Sequence, residues 1–147
     1  MKKYWVMKTF QEWWINFQRD NVIGIDESGV DQDYLGISQN QIDQLLQDTN
    51  NNFNEYQNRV FKEFCKWMQT GDLVIIGTGQ TTTFNISGIV RVVGNYRFDS
   101  SSEPRHIRNV EILKVFQNPL SMLRFIRTPR LELIDEEDFH DAIISLL

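Results

Sequence analysis

The sequence predicts an α+β domain in which a small, curved, barrel-like β-sheet is flanked by helices. In the first half, amphipathic helical patterns separate short strands, whereas the second half changes to the long apolar runs and alternation of strands. Helices that cluster early and strands that cluster late favour α+β over alternating βαβ units. The length of 147 residues predicts one domain, 1–147, with a core over about 4–134 and a C-terminal helix over about 135–147.

The first elements follow from short local patterns. The run KYWVM is short, apolar and aromatic, which predicts a strand. Thr9 and Glu12 have the spacing of a capping box, which predicts that a helix begins after Thr9. The apolar residues of that helix are spaced to share one face: Phe10, Trp13, Trp14 and Phe17. Trp13 and Trp14 are about 100° apart on a helix, so one is expected in the core and the other at its edge.

Two more helices are predicted before the sheet-rich half. NVIGI forms a second strand, and an acidic, turn-rich segment follows it. Ser38 and Gln41 form a second capping box, followed by a helix with an apolar stripe. A third helix is predicted over about 55–69, and Gly71 supplies the left-handed residue that ends it.

The second half is predicted to be mostly strands. DLVIIGTG is a buried strand, and FNISGIVRVVGNYRF is a long one with a bulge or bend at Gly88. RHIRNVEIL and RLELI add two more strands, and the former allows a second bulge. The acidic run DEEDFHDAIISLL predicts a final helix with its acids in the first turn. Its apolar residues are expected to pack on the sheet: Phe139, Ile143, Ile144 and Leu147.

Charge is concentrated in one block of an otherwise acidic chain. The formal net charge is −5, yet residues 91–130 carry eight basic residues, seven of them arginine, against three acidic residues. Arginine binds phosphate in a bidentate manner and stacks on flat rings, so this block favours an anion-binding face. The alternative is a solvated surface whose arginines pair with nearby carboxylates such as Asp99 or Glu103.

Other function classes receive little support. Cys65 is the only cysteine and no apolar run approaches membrane-helix length, so a reducing, cytoplasmic location is expected. The histidines lack zinc spacing, and GTGQTTTF lacks the lysine of a phosphate loop. The acidic segment containing Asp26, Asp31 and Asp33 is more typical of a solvated loop than of a Mg²⁺ site. We therefore predict no metal, no cofactor and no enzymatic activity.

The order of the motifs resembles a known family. YWVMKTF, EWWINF, NVIGI, FKEFCKWMQTGDLVIIGTG, ISGIVRVVGNYRFD and RHIRNVEIL follow one another as in the EVE/YTH-like branch of the PUA superfamily. The similarity covers roughly residues 4–113 and is greatest to the N-terminal recognition domains of McrB-type restriction ATPases. It implies a PUA-like curved sheet and a module that flips a modified, probably methylated, base of DNA into an aromatic-lined pocket.

The resemblance also implies where the base would bind. Relatives often carry a tryptophan near the position of Asp26. The Asp26 carboxylate can accept a hydrogen bond from an exocyclic amine of a base, but it cannot stack on the base. For several pocket candidates, packing in the core or a plain turn is the alternative. The base-pocket candidates are Trp5, Lys8, Thr9, Trp13, Trp14, Asp26, Thr78, Tyr96 and Phe98. The phosphate-binding candidates are Arg97, Arg105, His106, Arg108 and Gln80.

Expected partners follow from the same resemblance. They are DNA with a modified base, a possible AAA+ GTPase motor domain in the same chain, a McrC-like nuclease subunit, and no membrane. Three other functions stay open: an RNA-modification reader of the same fold, an enzyme acting on a flipped base, and a protein-interaction domain using the acidic final helix. A preference for RNA over methylated DNA would favour the first of these.

Overall fold

The computed structural model describes residues 2–26, 30–50, 53–78, 84–122 and 130–147. Six strands and four α-helices occur within these ranges. The strands are β1 (Tyr4–Lys8), β2 (Val22–Ile25), β3 (Leu73–Thr78), β4 (Phe84–Phe98), β5 (His106–Met122) and β6 (Leu131–Ile134). The helices are α1 (Gln11–Asp20), α2 (Gln39–Gln47), α3 (Glu55–Lys62) and α4 (Glu137–Leu146). The predicted α+β class is confirmed.

All six strands belong to one curled, half-barrel sheet with the order β2-β5-β4-β3-β1-β6. Strands β1 and β3 are parallel, and every other neighbouring pair is antiparallel. The register between β4 and β5 shifts at three places, one of them between Ile86 and Gly88. The irregularity predicted at Gly88 is therefore present. A side chain there would collide with the Trp14 ring, so glycine permits this contact.

The sheet has an apolar core on each face, because successive side chains of a strand point to opposite sides. In β1, Trp5 and Met7 belong to the larger core, beneath α1, α2 and α3. Tyr4 and Val6 belong to a smaller core that is covered by α4. Strand β1 is thus buried on both faces.

Helix α1 begins one residue later than the sequence predicts. Phe10, not Thr9, is the N-cap, and it provides no side-chain hydrogen bond to the helix. The predicted Thr9–Glu12 capping box is therefore wrong. The Thr9 amide instead donates to the carbonyl of Gly77 at 2.9 Å, which keeps Thr9 at the end of the sheet.

The predicted start of α2 is confirmed, because Ser38 and Gln41 form a reciprocal capping box there. Helix α3 ends at Lys62 but continues as a π-helical turn over Glu63–Trp67, so the predicted helix of about 55–69 is close to the observed one. Gly71 adopts φ +97°, the left-handed conformation that glycine tolerates best. It lies in the turn that follows the C-cap Met68, so the prediction that Gly71 itself ends the helix is wrong.

Helix α4 packs on the sheet through half of its predicted apolar residues. Phe139 and Ile143 are buried, whereas Ile144 and Leu147 are more than half exposed, so the prediction is wrong for the latter two. The imidazole of His140 stacks on the ring of Tyr4 with a centroid distance of 4.0 Å. This stacking joins the helix to β1.

Candidate nucleic-acid interface

The sheet topology separates the sequence-predicted candidates into two groups. Strands β1, β3 and β5 run in one direction and β2, β4 and β6 in the other. Residues that follow β1 and β3 therefore lie at one end of the sheet. We call this the β1–β3 corner, defined by Lys8, Thr9, Gly77 and Thr78. The last residues of β2 and β4 and the first of β5 lie at the opposite end, which we call the arginine end: Asp26, Tyr96, Phe98, Arg105, His106 and Arg108.

Backbone hydrogen bonds hold the β1–β3 corner. The Lys8 amide donates to the Arg130 carbonyl at 2.8 Å, and the Thr9 amide donates to Gly77 on the neighbouring strand. The Thr78 hydroxyl is buried and lies 2.5 Å from the Ser87 hydroxyl. Thr78 is therefore engaged within the sheet, whereas Lys8 and Thr9 are half-buried.

The hydroxyl of Thr9 is the unusual group at this corner. Its Oγ1 atom is buried and makes no hydrogen bond with any of the described residues. A buried hydroxyl without a partner costs roughly 1–3 kcal/mol, so most such groups in proteins are paired. A ligand with a donor or acceptor at this position would remove that cost.

An aromatic pair with a cation beside it lies next to Thr9. The rings of Phe10 and Trp13 meet edge to face at 5.3 Å, and the Arg130 guanidinium lies 5.4 Å from the centre of the Phe10 ring. Phe10 is 52% exposed, while Trp13 is half-buried against the core. Exposed aromatic rings next to a guanidinium provide surfaces on which bases stack.

Two other tryptophans predicted for the pocket belong to the core. Trp5 is 1% exposed, and its indole N–H donates to the Asp72 carboxylate at 3.0 Å. Trp14 is 2% exposed and packs against Gly88. Neither ring can stack on a base in this structure, so the expected division between Trp13 and Trp14 holds with Trp14 as the core residue.

The arginine end contains a closed hydrogen-bond network around His106. The fully buried imidazole contacts the Tyr96 hydroxyl through Nδ1 at 2.7 Å and the Val30 carbonyl through Nε2 at 2.8 Å. The same Tyr96 hydroxyl accepts the amide N–H of Tyr34 at 3.0 Å. The Val30 carbonyl can only accept, so His106 carries a proton on Nε2, and in the neutral imidazole Nδ1 then accepts from the Tyr96 hydroxyl.

Burial favours the neutral forms of the side chains in this network. Desolvation lowers the pKa of His106 below its ordinary 6.5 and raises the pKa of Tyr96. It also raises the pKa of Tyr34 to about 12. Buried at 8% exposure, Tyr96 cannot stack on a base, and the fully buried His106 cannot reach phosphate, which corrects both predictions for this structure.

Phe98, Arg105 and Asp26 form a second cluster at the arginine end. Arg105 forms a bidentate ion pair with Asp26, at 2.9 Å from Nε and 2.8 Å from Nη2. The hydrogen bond that the Arg105 guanidinium donates to Asp26 raises the pKa of the guanidinium. The half-buried Phe98 ring packs on His106 at 4.9 Å and lies 5.9 Å from the Arg105 guanidinium. Asp26 therefore already accepts three hydrogen bonds, the third from the Arg105 amide at 3.2 Å, and Arg105 pairs with it rather than with Asp99 or Glu103.

The remaining arginines do not form one face. Arg108 is 3% exposed and donates to the carbonyls of Gly94, Phe64 and Met68, so most N–H groups of this predicted phosphate-binding residue are occupied within the fold. Arg97 remains on the surface, hydrogen-bonded to Asn109 at 3.1 Å and 3.9 Å from Asp99. Gln80 lies outside the described residues.

Neither a metal-binding cluster nor a membrane-spanning helix is found among the described residues. Within those ranges no group of three or more His, Cys, Asp or Glu side chains is arranged to hold a metal ion. No helix there combines the length and apolar character that crossing a bilayer requires.

Sequence reasoning missed two residues of the β1–β3 corner. Phe10 was assigned to the buried face of α1, but the late start of the helix leaves its ring half in solvent. Arg130 was counted only in the basic block, and its proximity to Phe10 depends on the pairing of β6 with β1. No local pattern in the sequence indicates either position.

Comparisons with known proteins support the fold. A family model described as "Domain of unknown function (DUF8426)" matches residues 8–133. No curated protein sequence matches the chain. A hypothetical protein from Leishmania major superposes with a TM-score of 0.56 at 11% identity, covering 99% of this chain and 94% of that one.

Two further solved structures are similar over nearly their whole lengths. The Mmi1 YTH domain gives a TM-score of 0.55 at 13% identity, covering 99% of this chain and 96% of that one. A protein from Pseudomonas putida gives 0.54 at 13% identity, covering 98% of this chain and 99% of that one. At these identities the likeness shows a YTH-like fold.

Proposed function

We propose that this chain, which belongs to the family described as "Domain of unknown function (DUF8426)", is a nucleic-acid-binding module. It holds one modified base at the β1–β3 corner. The observation that carries the proposal is the buried, unpaired hydroxyl of Thr9 beside the exposed ring of Phe10. Reading a base requires a stacking surface and a few directed polar groups, and the corner has both. The YTH-like fold supports the same class of ligand.

The β1–β3 corner also has positively charged groups that suit the negatively charged backbone of a nucleic acid. Lys8 and Arg130 are both there, and their backbones are joined by a hydrogen bond. The first turn of α1 has no side-chain cap, so its amide groups remain open to an anion. A phosphate next to the flipped base would meet these positive groups.

Methylated DNA is the substrate we propose, with a role as the targeting module of a modification-dependent restriction system. The resemblance of the motif order to that of McrB-type recognition domains supports this choice. In such a system an AAA+ GTPase motor and a McrC-like nuclease would supply the cleavage, and this module would supply only recognition. The YTH-like fold favours a second candidate, a reader of modified RNA.

The test is a set of binding titrations with matched oligonucleotides. Wild type is titrated with duplex DNA and single-stranded RNA, each carrying N6-methyladenine, 5-methylcytosine or no modification. Stacking on one base is worth roughly 1–3 kcal/mol, so Phe10→Ala should weaken binding to the preferred modified strand by that amount. Thr9→Val should reduce the preference for the modified base.

Trp67 offers a matched control because it is as exposed as Phe10, at 52%, and lies on the π-helical turn far from the β1–β3 corner. Trp67→Ala should leave both affinity and preference unchanged. The proposal fails if wild type prefers no modified strand, or if Trp67→Ala loses as much affinity as Phe10→Ala. A preference for modified RNA would retain the base site and replace the restriction role.

A further inference from the structure

A cavity lies at the end of the sheet opposite the β1–β3 corner. It has a volume of about 580 Å³ and opens between the π-helical turn and the irregular part of β4. Its polar lining consists of Lys66, Gln69, Thr70, Asn95 and Arg108. The space is sufficient for a nucleotide, and none of its polar groups takes part in the proposed base site.

The guanidinium of Arg108 is a buried cation without a paired carboxylate among the described residues. Its four hydrogen bonds go only to the carbonyls of Gly94, Phe64 and Met68. Since a guanidinium has five N–H groups, one N–H of Nη2 has no acceptor within the described ranges. Buried charges are normally paired, so this one calls for a counter-ion.

The buried carboxylate whose field acts on Arg108 is already occupied. Asp72 is 1% exposed and accepts hydrogen bonds from the amides of Lys3 and Gln69 and from the indole of Trp5. It influences Arg108 only through its field. The field of Asp33 reaches the cavity wall at Cys65, but Asp33 does not line the cavity.

The remaining lining groups are donors and neutral acceptors that face solvent. Lys66 is exposed and lies 5.7 Å from the centre of the Tyr34 ring. The side chains of Gln69, Thr70 and Asn95 are exposed and make no hydrogen bonds within the described part of the chain. No carboxylate of the described residues lines the cavity.

We propose that this cavity binds the phosphate group of a nucleotide. The free N–H of Arg108 and the ammonium of Lys66 bind phosphate oxygens, as guanidinium and ammonium groups do elsewhere. The amides of Gln69 and Asn95 and the hydroxyl of Thr70 then hydrogen-bond the sugar or base. The phosphate belongs either to a free nucleotide or to a nucleic-acid strand. This site does not depend on the proposed base site.

The experiment follows amide chemical shifts during titration with inorganic phosphate, adenosine monophosphate and a short unmodified single strand. Binding should shift the backbone and side-chain amides of Gln69, Thr70 and Asn95 before other signals. Lys66→Glu places a negative charge at the cavity and should weaken binding of the ligand at least tenfold. Lys114→Glu makes the same charge change on β5, away from the cavity, and should leave binding unchanged.

The outcomes separate the sources of the phosphate. Tighter binding of adenosine monophosphate than of the strand identifies a free nucleotide, and tighter binding of the strand identifies nucleic acid. The inference is overturned if no ligand shifts these amides, or if Lys114→Glu weakens binding as much as Lys66→Glu. Lys66 is exposed, so Lys66→Glu should fold normally. Loss of modified-base preference in Phe10→Ala with normal shifts here would separate the two sites.

Discussion

The two ends of the sheet use similar residue types for opposite purposes. At the arginine end, Tyr96 and His106 are buried and have all their polar side-chain atoms paired within the protein. At the β1–β3 corner, the Phe10 ring is exposed and the Thr9 hydroxyl has no partner among the described residues. Aromatic, histidine and arginine side chains therefore indicate a binding face only where the fold leaves them unpaired.

The difference follows from which backbone groups need hydrogen-bond partners at each end of the sheet. At the arginine end, β2 joins β5 through Ile25 and His106, and the segment around Val30 and Tyr34 crosses over it. Carbonyls and amides exposed by that crossing need partners in the interior. At the β1–β3 corner the amides of Lys8 and Thr9 bond to the carbonyls of Arg130 and Gly77, so these backbone groups need no side-chain partner.

Replacing Arg108 with methionine should give the largest effect on stability. The substitution keeps an apolar stem but leaves the carbonyls of Phe64, Met68 and Gly94 without their donors. We expect the free energy of unfolding to fall by about 3 kcal/mol, since each buried unpaired group costs roughly 1–3 kcal/mol. Urea denaturation measures this, with Arg97→Met as the exposed control, expected within about 0.5 kcal/mol of wild type. Equal losses in both variants would show that Arg108 has no special structural role.

Lowering the pH should reduce the free energy of unfolding through protonation of His106 at the arginine end. Because burial lowers the pKa of folded His106 below 6.5, the unfolded chain takes up the proton at a higher pH than the folded protein does. Stability is therefore full above pH 6.5 and decreases as the pH falls from 6.5 towards the lower folded value. We expect a loss of about 1 kcal/mol between about pH 7 and about pH 5.5.

Urea denaturation at several pH values checks this prediction. His106→Gln removes the titrating group, so its free energy of unfolding should vary less over the same interval. His140 is the other histidine and is present in both proteins, so its contribution cancels in the difference. An identical pH dependence in wild type and variant would exclude His106 as the cause.

Replacing Thr9 with valine should be the one substitution of the series that costs no stability. The Thr9 hydroxyl is buried and unpaired among the described residues, so a methyl group of similar shape loses no hydrogen bond. We expect the free energy of unfolding to stay the same or to rise by about 1 kcal/mol, because valine removes the cost of burying an unpaired hydroxyl. Ser38→Ala is the comparison, because Ser38 caps α2 and its loss should cost about 1 kcal/mol. A loss in Thr9→Val as large as in Ser38→Ala would mean that Thr9 is a cap after all.

Elements that depend on neighbours in sequence could be predicted. The Ser38 capping box, the irregularity at Gly88 and the left-handed Gly71 each rest on a few adjacent residues. The Thr9 capping box has the same local pattern but was wrong, because the Thr9 amide bonds to Gly77 across the sheet. A distant strand therefore determined where α1 begins.

The candidate site was harder to predict because partners are far apart in sequence. Arg105 meets Asp26 79 residues away, and Arg108 reaches the Met68 carbonyl 40 residues away. Neither separation leaves a local pattern, so all arginines in the block looked equally free. Lys8 and Thr9 were identified correctly as residues at the strand-to-helix corner, since they follow directly after β1. Whether they contact a base stays a prediction.

The position of β1 inside the sheet has a consequence for the order of folding. Tyr4 pairs with Leu73 on one side and with Ile134 on the other. During synthesis, one edge of β1 therefore stays uncovered until β6, the last of the six described strands in chain order, pairs with it. Contacts of such long range slow folding and leave strand edges exposed on the nascent chain. We expect the sheet to close only after β6 has left the ribosome.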